Sequence, residues 1–221
     1  MIKHIIFDCD GVLIDTEIVA AEVVSEYLRS EGANISTEQF IQEFTGKTFT
    51  DIINLLKEEE RLNPQVDTAA VVPTLDATIR DNQREIDGAV NMLRSLSCPI
   101  SVVSNSAGDY VALALDKLGV SDLIDGRIYS ADMVEKGKPS PMVYELAVEQ
   151  IGLSKNELVV VEDSSAGVIA SVSAQLCTIG FLGGSHIRAG HAEKLKALGA
   201  YEFASDHESL TKLLHQKARK D

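Results

Sequence analysis

Apolar and polar residues follow two different rhythms along this chain, and the change of rhythm divides it. Between residues 16 and 87 the apolar positions recur at helical spacing, with Ile18, Val19, Val23, Val24, Tyr27 and Leu28 forming one stripe that ends near Gly32. Ser36 or Thr37 starts a second helix through Phe40, Ile41 and Phe44, and Gly46-Lys47-Thr48 then interrupts the pattern. A third helix is predicted from Asp51 to Glu60 and a fourth over roughly 68 to 86, interrupted by Pro73, which a helix tolerates best in its first turn. No convincing strand falls in this stretch, which reads as a compact helical insert.

Outside it, short apolar runs alternate with helical stretches. Strands are predicted at Ile5-Ile6-Phe7, at 99–103, near Arg127-Ile128-Tyr129, at 158–161, at 176–180 and at Tyr201-Glu202-Phe203. Helices are predicted at about 108–118, 142–151, 165–174, 186–198 and from about 206 onward, with another through Val90, Leu93 and Leu96. Strands alternating with helices imply a parallel sheet covered on both faces. The expected fold is therefore α/β: a Rossmann-like parallel core made of residues 1–15 and 88–221, flanked by helices, with residues 16–87 inserted as a helical domain.

Composition narrows the class of function. At 221 residues, 45% hydrophobic and 24% charged, the chain has the make-up of an ordinary soluble protein with room for a sizeable core. No apolar run approaches the roughly 20 residues of a membrane span. Met1-Ile2-Lys3-His4 enters a strand directly, without a signal-peptide core, so the cytoplasm is the expected compartment. A net charge of −14, from 20 basic and 34 acidic residues, argues against nucleic-acid and anionic-membrane partners. Any phosphate site must then supply its own local positive charge. Cys9, Cys98 and Cys177 form no CxxC pair and read as reduced thiols. With no sustained heptad or large exposed apolar run, a monomer is expected.

Candidate chemistry collects where the strands end. Ligands of open parallel sheets bind outside the carboxyl ends of the strands. Phe7 leads there into Asp8 and Asp10, Val103 into Ser104, and Val161 into Glu162 and Asp163. On an extended backbone Asp8 and Asp10 point the same way and Cys9 the other. Four carboxylates in one crevice call for a cation, and an all-oxygen set with open positions suits Mg²⁺. Ser104 adds a hydroxyl, and Lys138, held in a defined loop by Pro139 after it, supplies the missing positive charge. Singly, each residue has an ordinary structural reading: a loop serine, a solvated lysine, a helix N-cap with a neighbouring acid. Together they describe phosphoryl transfer through an aspartyl phosphate.

Four segments carry a family resemblance: Asp8-Cys9-Asp10-Gly11-Val12, Val103-Ser104-Asn105-Ser106, Gly137-Lys138-Pro139-Ser140-Pro141, and Val161-Glu162-Asp163-Ser164-Ser165-Ala166-Gly167. In order and spacing they resemble the four motifs of the haloacid dehalogenase-like superfamily. The insert resembles the four-helix cap of the subgroup that contains β-phosphoglucomutase and many sugar-phosphate phosphatases. The resemblance implies Asp8 as nucleophile and Mg²⁺ ligand, and Asp10 as acid/base whose backbone carbonyl also meets the metal. It implies Ser104 and Lys138 as holders of the phosphoryl group, with Asn105 beside them on the substrate, and Asp163 with Glu162 as the rest of the metal site. Gly46, Lys47 and Thr48 resemble the cap loop that faces substrate.

Departures from the relatives discriminate further. Dehalogenating members lack the second aspartate, which is present here as Asp10. Phosphonate-cleaving members use a cap lysine where this chain has Phe49. Mutases carry a histidine where this chain has Ala20. The resemblance thus implies a Mg²⁺-dependent phosphatase of small phosphorylated metabolites, sugar phosphates or phosphorylated sugar acids, with a β-phosphoglucomutase-type sugar phosphomutase as the alternative.

Overall fold

The structure, a computed structural model, describes residues 1–44 and 47–218. Its residues fall into two compact units: Met1–Asp15 with Glu85–Asp221, and Thr16–Arg84.

The first unit is built on a sheet. Among the described residues the strands are β1 (His4–Phe7), β2 (Ile100–Ser104), β3 (Ile128–Ser130), β4 (Leu158–Glu162), β5 (Cys177–Phe181) and β6 (Glu202–Ala204). They form one sheet in the order β3-β2-β1-β4-β5-β6, every pair parallel. Period-two alternation sends Ile5, Phe7, Val102, Val159 and Val161 to one face and Ile6, Val103, Leu158 and Val160 to the other. Both faces are covered, which explains why the strands read as continuous apolar runs rather than as alternating ones. The chain turns from one half of the sheet to the other between β1 and β4, so the crevice of an open α/β sheet lies there, at the strands' carboxyl ends.

The helical unit contains α1 (Thr16–Ser30), α2 (Thr37–Phe44), α3 (Phe49–Glu58) and α4 (Thr68–Asp81). Val24, Leu28, Phe40, Phe44, Ile52, Ile53, Leu56 and Leu75 bury one shared core. Asp67 caps α4 by accepting from the backbone N–H groups of Ala69 and Ala70, and Pro73 lies inside that helix. The predicted helix over 68 to 86 stops early. Glu85 pairs with Ile14 as an isolated bridge and Ile86 N donates to Leu13 O, so sheet-like pairing between the outgoing and returning chain displaces the last helical turn.

Around the sheet lie α5 (Ala89–Ser95), α6 (Gly108–Lys117), α7 (Ser121–Ile124), α8 (Met142–Ile151), α9 (Ser165–Ser173), α10 (His191–Ala197) and α11 (His207–Ala218). The helix predicted over 186–198 begins only at His191. Gly190 takes φ +85°, and Arg188 folds back to donate to the carbonyls of Ser185 and Ile187, so the segment before it is a built loop. No helix among the described residues is long and apolar enough to cross a membrane.

Candidate active site

The central strands β1 and β4 deliver the acids. Asp8 follows β1 directly, and its N–H donates to Val161 O at 2.9 Å, which extends the ladder one residue and sets Asp8 beside the end of β4. The same strand carries Glu162 as its last residue, with Asp163 following. One carboxylate oxygen each from Asp8, Glu162 and Asp163 lie within 4.8 Å of one another, and all three residues are buried.

Lys138 is the cation of this cluster and is itself buried. Its Nζ donates to Asp8 Oδ1, to Val103 O at 2.8 Å and to Glu162 Oε1 at 2.6 Å. Burial alone would lower the lysine's pKa, but Asp8 and Glu162 carry it well above the ordinary ammonium value. Burial pushes the Asp8 carboxyl well up from the usual range; Lys138 opposes this, and Glu162, Asp163 and Asp10 reinforce it. Asp163 is raised by burial too, against the pull of its hydrogen bond from His186.

Glu162 has no spare oxygen. Oε1 accepts from Lys138 Nζ and from Tyr144 OH at 2.8 Å, and Oε2 accepts from Ser164 N at 3.3 Å and Ser164 Oγ at 3.1 Å. Its carboxylate fills the space of an absent side chain, since a Cβ on Gly167 would lie 1.8 Å from Oε1. Expected to complete a metal site with Asp163, Glu162 is near enough by distance, with Oε1 engaged by Lys138 and Tyr144 and Oε2 by Ser164.

Asp10 stands apart from this cluster. Its Oδ2 accepts from Ser106 Oγ at 2.8 Å and Ser104 Oγ at 3.3 Å, and Ser104 Oγ in turn accepts from Ser106 N at 2.9 Å. The expected crowd of four carboxylates is thus three acids around a lysine and one acid among hydroxyls. Whether a cation fits the three can be tested on their own atoms. Three carboxylates cluster where one ammonium pairs with two of them, and Asp163 Oδ1 is buried without a hydrogen-bond partner among the described residues. An oxygen-only donor set with an unused buried oxygen suits a hard divalent cation.

Two of the residues expected to contact substrate have hydrogen-bond partners within the protein. Asn105 is spent on the loop of Lys138: its Nδ2 donates to Lys138 O at 2.9 Å and its Oδ1 accepts from Lys138 N at 2.7 Å. It fixes the lysine's backbone from both sides. Thr48 caps α3, its Oγ1 accepting from Asp51 N and donating to Asp51 Oδ2. Lys47 belongs to the helical unit and is exposed, and Gly46 lies outside the described residues. Sequence reasoning had no role for Ser106, Tyr144, His186 or His191, all of which touch the acids or their backbone. One signal was available for the histidines: Gly183-Gly184-Ser185-His186 follows a strand end, as the other polar clusters do.

Comparison with known proteins gives the following likenesses. Residues 5–181 match the family model described as haloacid dehalogenase-like hydrolase. The chain is 24% identical over 187 residues to 6-phosphogluconate phosphatase of Escherichia coli strain K12, covering 84% of this chain and 85% of that one. It is 29% identical over 189 residues to validoxylamine A 7'-phosphate phosphatase of Streptomyces hygroscopicus subsp. limoneus, covering 81% and 85%. Among solved structures, a HAD family hydrolase from Deinococcus radiodurans R1 with bound phosphate and sodium superposes with a TM-score of 0.84 at 30% identity, covering 97% of this chain and 96% of that one.

Proposed function

Since the chain belongs to the haloacid dehalogenase-like hydrolases, we propose that it is a Mg²⁺-dependent phosphatase of small phosphorylated metabolites, sugar phosphates or phosphorylated sugar acids, working through an aspartyl phosphate on Asp8. One observation carries the reading: a buried carboxylate paired with a buried lysine stands beside a second carboxylate held by two hydroxyls. The phosphatase relatives support the substrate class.

In the first half-reaction an Asp8 carboxylate oxygen attacks phosphorus and the bond to the leaving oxygen breaks, while Asp10 donates its proton to that oxygen. In the second, water attacks the phosphorus, Asp10 takes the water's proton, and the bond to Asp8 breaks to release inorganic phosphate. Lys138, with its donors fixed by Asp8, Glu162 and Val103 O, favours the anionic form of Asp8 against its burial and offers charge to the phosphoryl oxygens. Ser104 contributes its hydroxyl beside the same oxygens. Asp8 and Asp163 would hold the cation, together with the backbone carbonyl of Asp10; when bound, it supplies positive charge that offsets the transferring phosphoryl group. Substrate choice is assigned to the helical unit as the cap, with Lys47 as its candidate contact.

The experiment is a phosphate-release screen over a panel of sugar phosphates and phosphorylated sugar acids, with Mg²⁺ and with EDTA. Mg²⁺-dependent release from at least one compound is expected; no release from any would remove the reading. Hexose 1-phosphates in the panel separate the phosphomutase alternative, which predicts isomer with little free phosphate. Ala20, packed against the apolar core of the helical unit where mutases place a histidine, favours phosphate.

A further inference from the structure

We propose that the loop between β5 and α10, residues 182–190, is a positioning device for the cation site, acting through His186 on Asp163. The inference rests on the reading of Asp163 as a cation ligand. His186 Nε2 lies 3.0 Å from Asp163 Oδ2 and donates to it. With Oδ2 engaged by the imidazole, the carboxylate has a single uncommitted oxygen, Oδ1, which is buried. Leaving such an oxygen without a donor is costly in an empty protein and natural for one that meets a cation. His186 therefore selects which oxygen of Asp163 is presented and stops the carboxylate from rotating.

The surroundings of the pair are shaped for it. Gly11, at φ +82°, would place a Cβ 2.0 Å from Asp163 Oδ2 and 3.0 Å from His186 Cε1. Gly184 would place one 2.7 Å from His186 Cε1. Two glycines from separate loops thus leave the slot that the ring and the carboxylate occupy. A second histidine grips the backbone of the same aspartate: His191 Nε2 donates to Asp163 O at 2.6 Å, and its ring meets that of His186 edge-on at 6.1 Å. Ser185 Oγ donates to Asp15 Oδ1 at 2.6 Å and ties the loop to the segment that follows the first acidic motif. Hydrogen-bond partners that orient a metal ligand change metal affinity by about 10–100-fold when removed.

The test uses the full chain and Mn²⁺ as a spectroscopic substitute, with free Mn²⁺ followed by electron paramagnetic resonance and Mg²⁺ added as competitor. Circular dichroism accompanies each variant. His186→Phe keeps a ring of similar volume without the donor, and His186→Ala removes both; each should weaken cation binding by about 10–100-fold. His186→Gln, whose amide N–H can reach the same oxygen, should restore most of the affinity. Wild-type affinity in folded His186→Phe, or a His186→Gln as weak as His186→Ala, overturns the positioning role. Failure of the parent reading has a different appearance: wild-type protein that binds neither ion, or Asp163→Asn that binds them as well as wild type does.

Discussion

Asp8 and Asp10 are two residues apart and chemically identical, yet the fold puts them in opposite surroundings. Asp8 is buried against Lys138 with Glu162 and Asp163 as neighbours, and its charge is governed by burial and by ions. Asp10 is half-buried and governed by neutral hydroxyls, those of Ser104 and Ser106. A nucleophile has to stay anionic while an anionic phosphate approaches, so it needs fixed positive charge. An acid/base has to gain and lose a proton in one cycle, and Asp10 is held by hydroxyl donors rather than by an ion pair. The contrast fits the roles proposed for the two carboxylates, and it can be broken.

The largest expected effect is on the anionic side. Asp8→Asn keeps size and shape but removes the attacking oxygen's charge, and should lower kcat by roughly 10⁴-fold or more with the fold intact. Steady-state phosphate release, with circular dichroism as control, checks it; retained turnover would make another group the nucleophile. Asp10→Asn should cost about 10²–10⁴-fold. Rapid-quench measurement should show both half-reactions slowed; a phospho-enzyme that forms and hydrolyses at normal rates in this variant would remove Asp10 from proton transfer.

Stability should separate the two sides as well. Glu162→Ala strips one of two anionic partners from Lys138 and the acceptor from Tyr144, and breaking a buried pair in this way costs about 3–5 kcal/mol. Urea denaturation measures it. Asp10→Asn, losing only hydroxyl hydrogen bonds at a half-buried site, should cost about 1 kcal/mol. Equal losses would mean that the two carboxylates are supported alike.

The sequence made one half of this contrast far more legible than the other. Apolar runs that stop at acids mark the ends of β1 and β4, so Asp8, Glu162 and Asp163 could be placed before any coordinates, and Lys138 followed from the need for local positive charge. Periodicity carries no information about which hydroxyl reaches which carboxylate. Nothing in the pattern therefore marks Ser106 or Tyr144 as partners of the acids. Asn105 and Thr48 were read toward substrate because their spacing resembles a motif; their hydrogen bonds go to Lys138's backbone and to the first turn of α3. The loop before α10 was read as helix because its shape is dictated by long-range partners, Asp15 and Asp163, which no local pattern encodes.

Ser106→Ala should give the smallest effect and the sharpest one. Ser106 donates the shorter of the two hydroxyl bonds to Asp10 Oδ2, 2.8 Å against 3.3 Å from Ser104. Losing one such bond is worth about 0.5–1.5 kcal/mol, so kcat/KM should fall by about 2–10-fold. Ser106→Thr, which keeps the hydroxyl, should recover most of it. Ser106 touches neither Asp8 nor Asp163, so the Mg²⁺ concentration for half-maximal rate should not move. A Ser106→Ala variant whose Mg²⁺ requirement rises with its loss of rate would show that the hydroxyl side and the ionic side act as one unit, and the division between Asp8 and Asp10 would then belong to the geometry of the strand end rather than to two separate chemical environments.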